Sequence, residues 1–177
     1  MNRRRAIVFS ALGAALALAF VGFYQLSGPL RDLEQRLVIT ILHAGNRVSV
    51  VGDHYFQVLP TGQRAFRAQL TPFCSSLVPV LALGAIAAFV LSGPWARRLV
   101  AFLGAAAIII ACNVLRVGAS VWIGLRVGAR GLVLFHDWIG TIFGLAYTMV
   151  GFFFMLYLLL PKATDSIVRA ARVSDVL

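Results

Sequence analysis

Between residues 132 and 160 the chain runs for 29 residues with a single Asp and no Glu, Lys or Arg. At roughly 1.5 Å per residue, a helix of that length outreaches the ~30 Å hydrocarbon core of a bilayer. Three more apolar runs occur, over residues 6–24, 76–91 and 99–123. Overall, 60% of the residues are hydrophobic, 12% are charged and the mean hydropathy is +0.90. A soluble domain has too few buried positions for so much apolar surface. The pattern therefore predicts an all-α integral membrane protein of about four transmembrane helices. Its 177 residues suit one membrane domain spanning 1–177.

The segment between the first two runs, about residues 28–72, differs in character. In "GPLRDLEQRLVITILHAG", Leu30, Leu33, Leu37 and Ile41 recur at helical spacing. Arg31, Glu34, Gln35 and Arg36 take the other faces, which predicts a short amphipathic helix lying in the interface. "VSVVGDHYFQVLPTGQRAFRAQL" then mixes β-branched and aromatic residues around the turn signal "PTG". It predicts a small extracytoplasmic β-hairpin, about 53–59 and 63–70. Its backbone groups need water, so it belongs outside the hydrocarbon.

The net charge is +10, and 15 of the 16 basic residues are Arg. These arginines flank apolar segments and form no long stripe, which favours lipid headgroups over nucleic acid as their partner. The start "MNRRR" followed by 19 apolar residues is also a signal-peptide pattern, but the run is long and no A-x-A site follows. Read as an uncleaved span, it sets the N-terminus in the cytoplasm. Alternation then places "SGPWARR" inside, "GLRVGARG" outside and the tail from Lys162 inside. The protein is thus expected in the cell membrane as a multi-pass chain with both termini cytoplasmic.

Polar residues inside apolar runs are costly and mark function. On this topology Cys74, at the start of the second span, Arg116, in the third, and His136, in the fourth, meet at the outer membrane level. A thiolate can attack a carbonyl while an imidazole moves protons and a fixed cation steadies the oxyanion. Gly140 and Gly144 follow His136 at four and eight residues, letting another helix come close. Asn113 and Ser120 flank Arg116 as a polar stripe able to satisfy its donors. Each residue also has a plainer reading: Cys74 as a buried small hydrophobe, Arg116 snorkelling to headgroups, His136 as a helix-start residue beside Asp137 and Trp138. Cys112 reads as core, and a Cys74–Cys112 bridge stays open. His43 and His54 read as solvated. No cofactor is implied, and no His, Cys or Asp set has metal-ligand spacing.

"CSS" at 74–76, "NVLRV" at 113–117 and "HDWIG" at 136–140 resemble, in order and spacing, the motifs of the exosortase/archaeosortase family of membrane transpeptidases. The likeness covers roughly residues 45–160, including the hairpin leading into the cysteine. Ser76 departs from it, standing where the family usually has glycine. The resemblance implies a sortase-like cysteine protease or transpeptidase acting at the extracytoplasmic face through a Cys thioester. Its substrate would be a membrane-anchored secreted protein ending in a short motif, a transmembrane helix and a basic tail. The acceptor would be a lipid or glycan amine or hydroxyl, or water. Carried over by position, Cys74 is the nucleophile, His136 the acid and base, and Arg116 the stabiliser of the intermediate, with Asn113 in support. Two rivals come from other classes: a non-enzymatic membrane assembly protein gripping a partner helix, and a small transporter subunit with Arg116 lining a polar path. The absence of an internal repeat or paired broken helices weighs against transport.

Overall fold

A computed structural model describes residues 3–42, 47–52, 54–62, 64–90 and 94–160. Helix α1 runs unbroken over Arg3–Leu42, 40 residues or about 60 Å. The first apolar run and the amphipathic stretch are thus one helix, not a span followed by a separate interfacial helix. Pro29 lies inside it. Proline supplies no N–H to the preceding turn, which loosens a helix without necessarily ending it. Close by, Arg31 Nε donates to the Ser27 carbonyl at 2.8 Å.

The buried face of α1 is also not the apolar one. Glu34, Gln35 and Val38 are buried, whereas Leu33, Leu37 and Ile41 are exposed. The polar groups turned toward the protein find partners there, Gln35 on the Tyr55 carbonyl and Glu34 on the Ser76 N–H.

Three short strands follow: β1 (Val48–Val50), β2 (Tyr55–Val58) and β3 (Phe66–Gln69). They form an antiparallel sheet in the order β1-β2-β3. The expected hairpin is the β2–β3 pair, with Phe56 opposite Ala68, and β1 adds a strand that the sequence reading did not anticipate. Asp53 and Gln63, the expected hairpin starts, lie outside the described residues, as do His43 and the tail from 161 onward. One face of the sheet buries Val48, Phe56, Val58 and, beyond β3, Leu70 against Val38 of α1 and Val114, Val117 and Val121. Gln35 Nε2 donates to the Tyr55 carbonyl at 3.0 Å, tying α1 to β2. His54 is largely buried rather than solvated, with Asp32 Oδ1 3.0 Å from its Nδ1.

Beyond the sheet, a 3-10 turn at Pro72–Cys74 leads into α2 (Leu77–Ala85), which continues as a π-helical stretch over Ile86–Val90. Nine and five residues at 1.5 Å each give about 21 Å, short of the ~30 Å core. Leu91, the expected end of this run, is not among the described residues. Helix α3 (Trp95–Val127) is long enough to cross a membrane, and so is the run from Ala129 to Leu159. That run comprises α4 (Ala129–Leu134), a π-helical turn at Phe135–Ile139 and α5 (Gly140–Leu159).

The α3–α5 contact rests on small residues. A Cβ built at Gly151 comes within 2.9 Å of Ile109 Cγ1 and 3.4 Å of the Ala105 carbonyl oxygen. Ala105, Ile109, Tyr147 and Met155 are buried along this seam. On the outer side Ile142, Leu145, Val150, Phe153 and Tyr157 are exposed, an apolar belt suited to lipid. Gly151→Leu is therefore expected to overpack the seam and cost about 1–3 kcal/mol. Gly144→Ala, whose Cβ would meet Tyr147 at ordinary contact distance, Oη at 3.7 Å and Cζ at 4.0 Å, stays within about 0.5 kcal/mol of the parent. Thermal unfolding in one detergent measures both.

Candidate active site

Cys74 closes the 3-10 turn that Pro72 opens. Its N–H donates to the Thr71 carbonyl at 3.0 Å, and Thr71 Oγ1 lies 3.0 Å from its Sγ. Ser75 is extended, and Ser76 turns right-handed at φ −68° and ψ −3°, ready for α2. Any L-residue adopts that conformation, so the turn after the thiol does not require glycine. The Ser76 side chain has its own task. Its Oγ donates to Glu34 Oε1 at 2.6 Å, and its N–H donates to the same oxygen at 3.0 Å.

Asn113, on α3, joins the same cluster. Its Nδ2 donates to Glu34 Oε1 and to the Cys74 carbonyl, both at 3.0 Å. Its Oδ1 accepts from Tyr147 Oη at 2.9 Å and from Arg116 Nη1 at 3.4 Å. Asn113 and Glu34 are fully buried. Asn113 thereby links the backbone of Cys74 to α1, to Arg116 and to α5.

Arg116 lies one turn further along α3. Its Nη2 donates to His136 Nε2 at 3.4 Å. A Cβ on Gly140 would fall 2.9 Å from Arg116 Nε, so this glycine makes room for the guanidinium rather than for a neighbouring helix. Ser120 does not serve the guanidinium either; its Oγ donates to the Arg116 carbonyl at 2.9 Å. Arg116 Nε is buried with no hydrogen-bond partner among the described residues.

His136 sits in the π-helical turn, an irregularity that often re-aims a functional side chain. Arginine only donates, so Nε2 is the acceptor toward Arg116, and Nδ1–H points at Asp137 Oδ1, 3.1 Å away. The imidazole and the Cys74 thiol face one another across the same cavity lining and interact electrostatically. Burial by itself pushes that thiol up. The neighbouring His136 imidazole and Thr71 outweigh burial and bring it from 9.0 down to about 7. Cys74 and Cys112 are both free.

The thiol and imidazole open onto a cavity of about 290 Å³, walled by β3 on one side and by Ala129, Leu132 and Val133 of α4 on the other. A second cavity, about 520 Å³, lies between α2 and α5 and reaches Arg116, Gly140 and Gly144. A third, about 640 Å³, lies beside Arg97 and Tyr157 and contains none of these groups.

A family model for transmembrane exosortases matches residues 2–159. The chain belongs to the transmembrane exosortase family. It is a membrane protein, and a sortase-like membrane enzyme in the broad sense of that family. No curated protein and no solved structure matches it.

The three residues singled out in this exosortase-family sequence, Cys74, Arg116 and His136, come together, and Asn113 joins them. Glu34, Asp137, Thr71 and Tyr147 were not anticipated as parts of the cluster. Glu34 carried a signal in its rarity, being one of six acidic residues in the chain. Asp137 carried one in its position next to His136. Among the described residues no three His, Cys, Asp or Glu side chains gather as a metal ion would need.

Glu34→Ala strips Ser76 N–H, Ser76 Oγ and an Asn113 donor of their shared acceptor. It is expected to cost at least about 2 kcal/mol in thermal unfolding, and Glu34→Gln, which keeps an acceptor oxygen, costs less. Iodoacetamide reacts with the thiolate, so Cys74 alkylation should rise with pH about a midpoint near 7. His136→Ala removes a group that favours the thiolate, and the midpoint moves up. A midpoint unchanged by that substitution would separate the thiol from the imidazole.

Proposed function

We propose that this protein is a cysteine protease or transpeptidase that cleaves the C-terminal sorting signal of secreted proteins at the extracytoplasmic membrane face. The observation that carries the reading is the convergence of the Cys74 thiol and the His136 imidazole on one cavity, with the Arg116 guanidinium hydrogen-bonded to that imidazole.

The chain is read as a single domain that crosses the membrane four times, with both termini cytoplasmic. Arginines at positions 3 to 5 and at 97 and 98 flank the first and third spans, and short flanking charges set orientation. The sheet, Cys74, Arg116 and His136 then share the outer boundary, where a peptide can meet both water and lipid.

In this mechanism His136 Nε2 takes the proton of Cys74, since Nδ1 is engaged by Asp137. The thiolate attacks the carbonyl carbon of the scissile peptide bond. Once Nε2 holds a proton it no longer accepts from Arg116, so an Arg116 N–H is released to meet the developing oxyanion. His136 gives its proton to the departing amine as the C–N bond breaks, which leaves an acyl thioester on Cys74. Water, or an amine or hydroxyl of a lipid or glycan, then attacks the thioester carbonyl. The C–S bond breaks, the acyl group passes on, and the thiol regains its proton. Asn113 holds the Cys74 carbonyl and one end of Arg116, which fixes both relative to the imidazole.

The test is co-expression with a secreted reporter carrying a short motif, an apolar helix and a basic tail, taken from a protein encoded near this chain. Cys74→Ala should abolish processing while the protein still inserts, and Arg116→Lys should lower it about 10²-fold or more. Normal processing by Cys74→Ala would sink the mechanism. A non-enzymatic assembly module would instead tolerate Cys74→Ser and form no thioester.

A further inference from the structure

Strand β3 is an edge of the sheet, and it is the wall of the cavity that holds Cys74 and His136. The register shows which way its backbone groups point. Leu70 N–H donates to the His54 carbonyl at 2.8 Å, and Phe56 lies opposite Ala68. In an antiparallel pair, alternate residues exchange hydrogen bonds. Leu70, Ala68 and Phe66 therefore bond inward to β2. On its other side β2 uses the opposite set: Leu59 N–H reaches the Arg47 carbonyl, and the Tyr55 carbonyl receives Val51 N–H. The N–H and C=O groups of Arg67 and Gln69 thus point away from the sheet, and none has a hydrogen-bond partner among the described residues.

Such an edge is a template for another strand. Natural sheets usually shield their edges, yet no described residue pairs with this one, which lies where a nucleophile needs a peptide presented to it. The partner's geometry follows from the chemistry. A protease must hold its substrate extended so that one carbonyl meets the thiol. The C-terminal side of the scissile bond carries a membrane helix, which lipid already holds. The N-terminal, acyl side has no such anchor, and the enzyme must orient it.

We propose that the acyl-side segment of the substrate binds as a fourth strand on β3, pairing with the outward backbone groups of Arg67 and Gln69 and delivering its last carbonyl to Cys74. This inference rests on the cysteine-protease reading and adds to it a mode of recognition. Main-chain pairing supplies affinity, and alternate side chains supply selectivity. One row of substrate side chains runs beside Phe66 and Ala68, which pack on the core, and the other beside Arg67 and Gln69, which are exposed.

The test uses the full chain in detergent and a tetra-alanyl chloromethyl ketone. The thiolate displaces chloride from this probe and forms a thioether on Cys74, and mass spectrometry follows the rate. N-methyl groups are placed on the probe amides one position at a time. Strand addition predicts parity. Methylation at alternate positions slows alkylation about tenfold or more through loss of a pairing hydrogen bond, and methylation at the positions between changes it less than about twofold. Gln69→Pro removes one outward N–H at an edge position where proline is tolerated. It should slow the peptidyl probe about tenfold relative to iodoacetamide, which also serves as the check that the variant is folded. A peptidyl probe that outpaces iodoacetamide but ignores the position of the methyl group, or the Gln69→Pro change, overturns strand addition and leaves the protease reading standing. A peptidyl probe no faster than iodoacetamide at Cys74 overturns both.

Discussion

The carboxylate of Glu34 fastens the parts of this protein that have to meet. A single oxygen accepts from the backbone and side chain of Ser76 and from Asn113, so α1, the nucleophile loop and α3 converge on one buried atom. Hydrogen bonds to a group of this kind are stronger away from water, and for the same reason a missing partner is more costly. The fixing of Cys74 follows from this cluster. Asn113 meets Glu34 with one amide hydrogen and the Cys74 carbonyl with the other.

The second half of the site is set by a backbone irregularity. The π-helical turn at Phe135–Ile139 holds His136, and Gly140 at its end leaves space for the Arg116 side chain. With Asp137 on Nδ1 and Arg116 on Nε2, the imidazole is oriented from both sides before any substrate arrives. The thiol is brought down by this company despite its burial. Cation, base and nucleophile thus depend on one another through hydrogen bonds that cross three segments of the chain.

The family assignment and the physical reading agree on a membrane enzyme, and the packing shows how a bilayer shapes it. Aliphatic side chains of α1, α3 and α5 look outward, while Glu34, Gln35, Asn113 and Ser120 are turned inward. Small residues bring α3 and α5 together at Gly151 and Ala105. The three-stranded sheet seats on Val114, Val117 and Val121 of α3, which sets β3 beside the thiol.

The apolar runs, the turn at residues 60–62 and the order of Cys74, Asn113, Arg116 and His136 were legible in the sequence by itself. They depend on composition and spacing, which are local properties. Tertiary structure decided what each face meets. The Leu33, Leu37 and Ile41 stripe predicted an interfacial helix, yet α1 continues through it and buries Glu34 instead. An apolar stripe on a helix can face the protein or the surroundings, and periodicity reads the same in both. Ser76 looked like a defect beside a nucleophile that usually has glycine near it. Its backbone lies in the ordinary right-handed region just before α2, and its hydroxyl bonds a carboxylate 42 positions earlier in the chain. Gly140 looked like a helix-packing residue, and the neighbour it admits is the guanidinium of Arg116. None of these partners is near in sequence, so only the fold, which joins distant segments by burying their polar groups together, could reveal them.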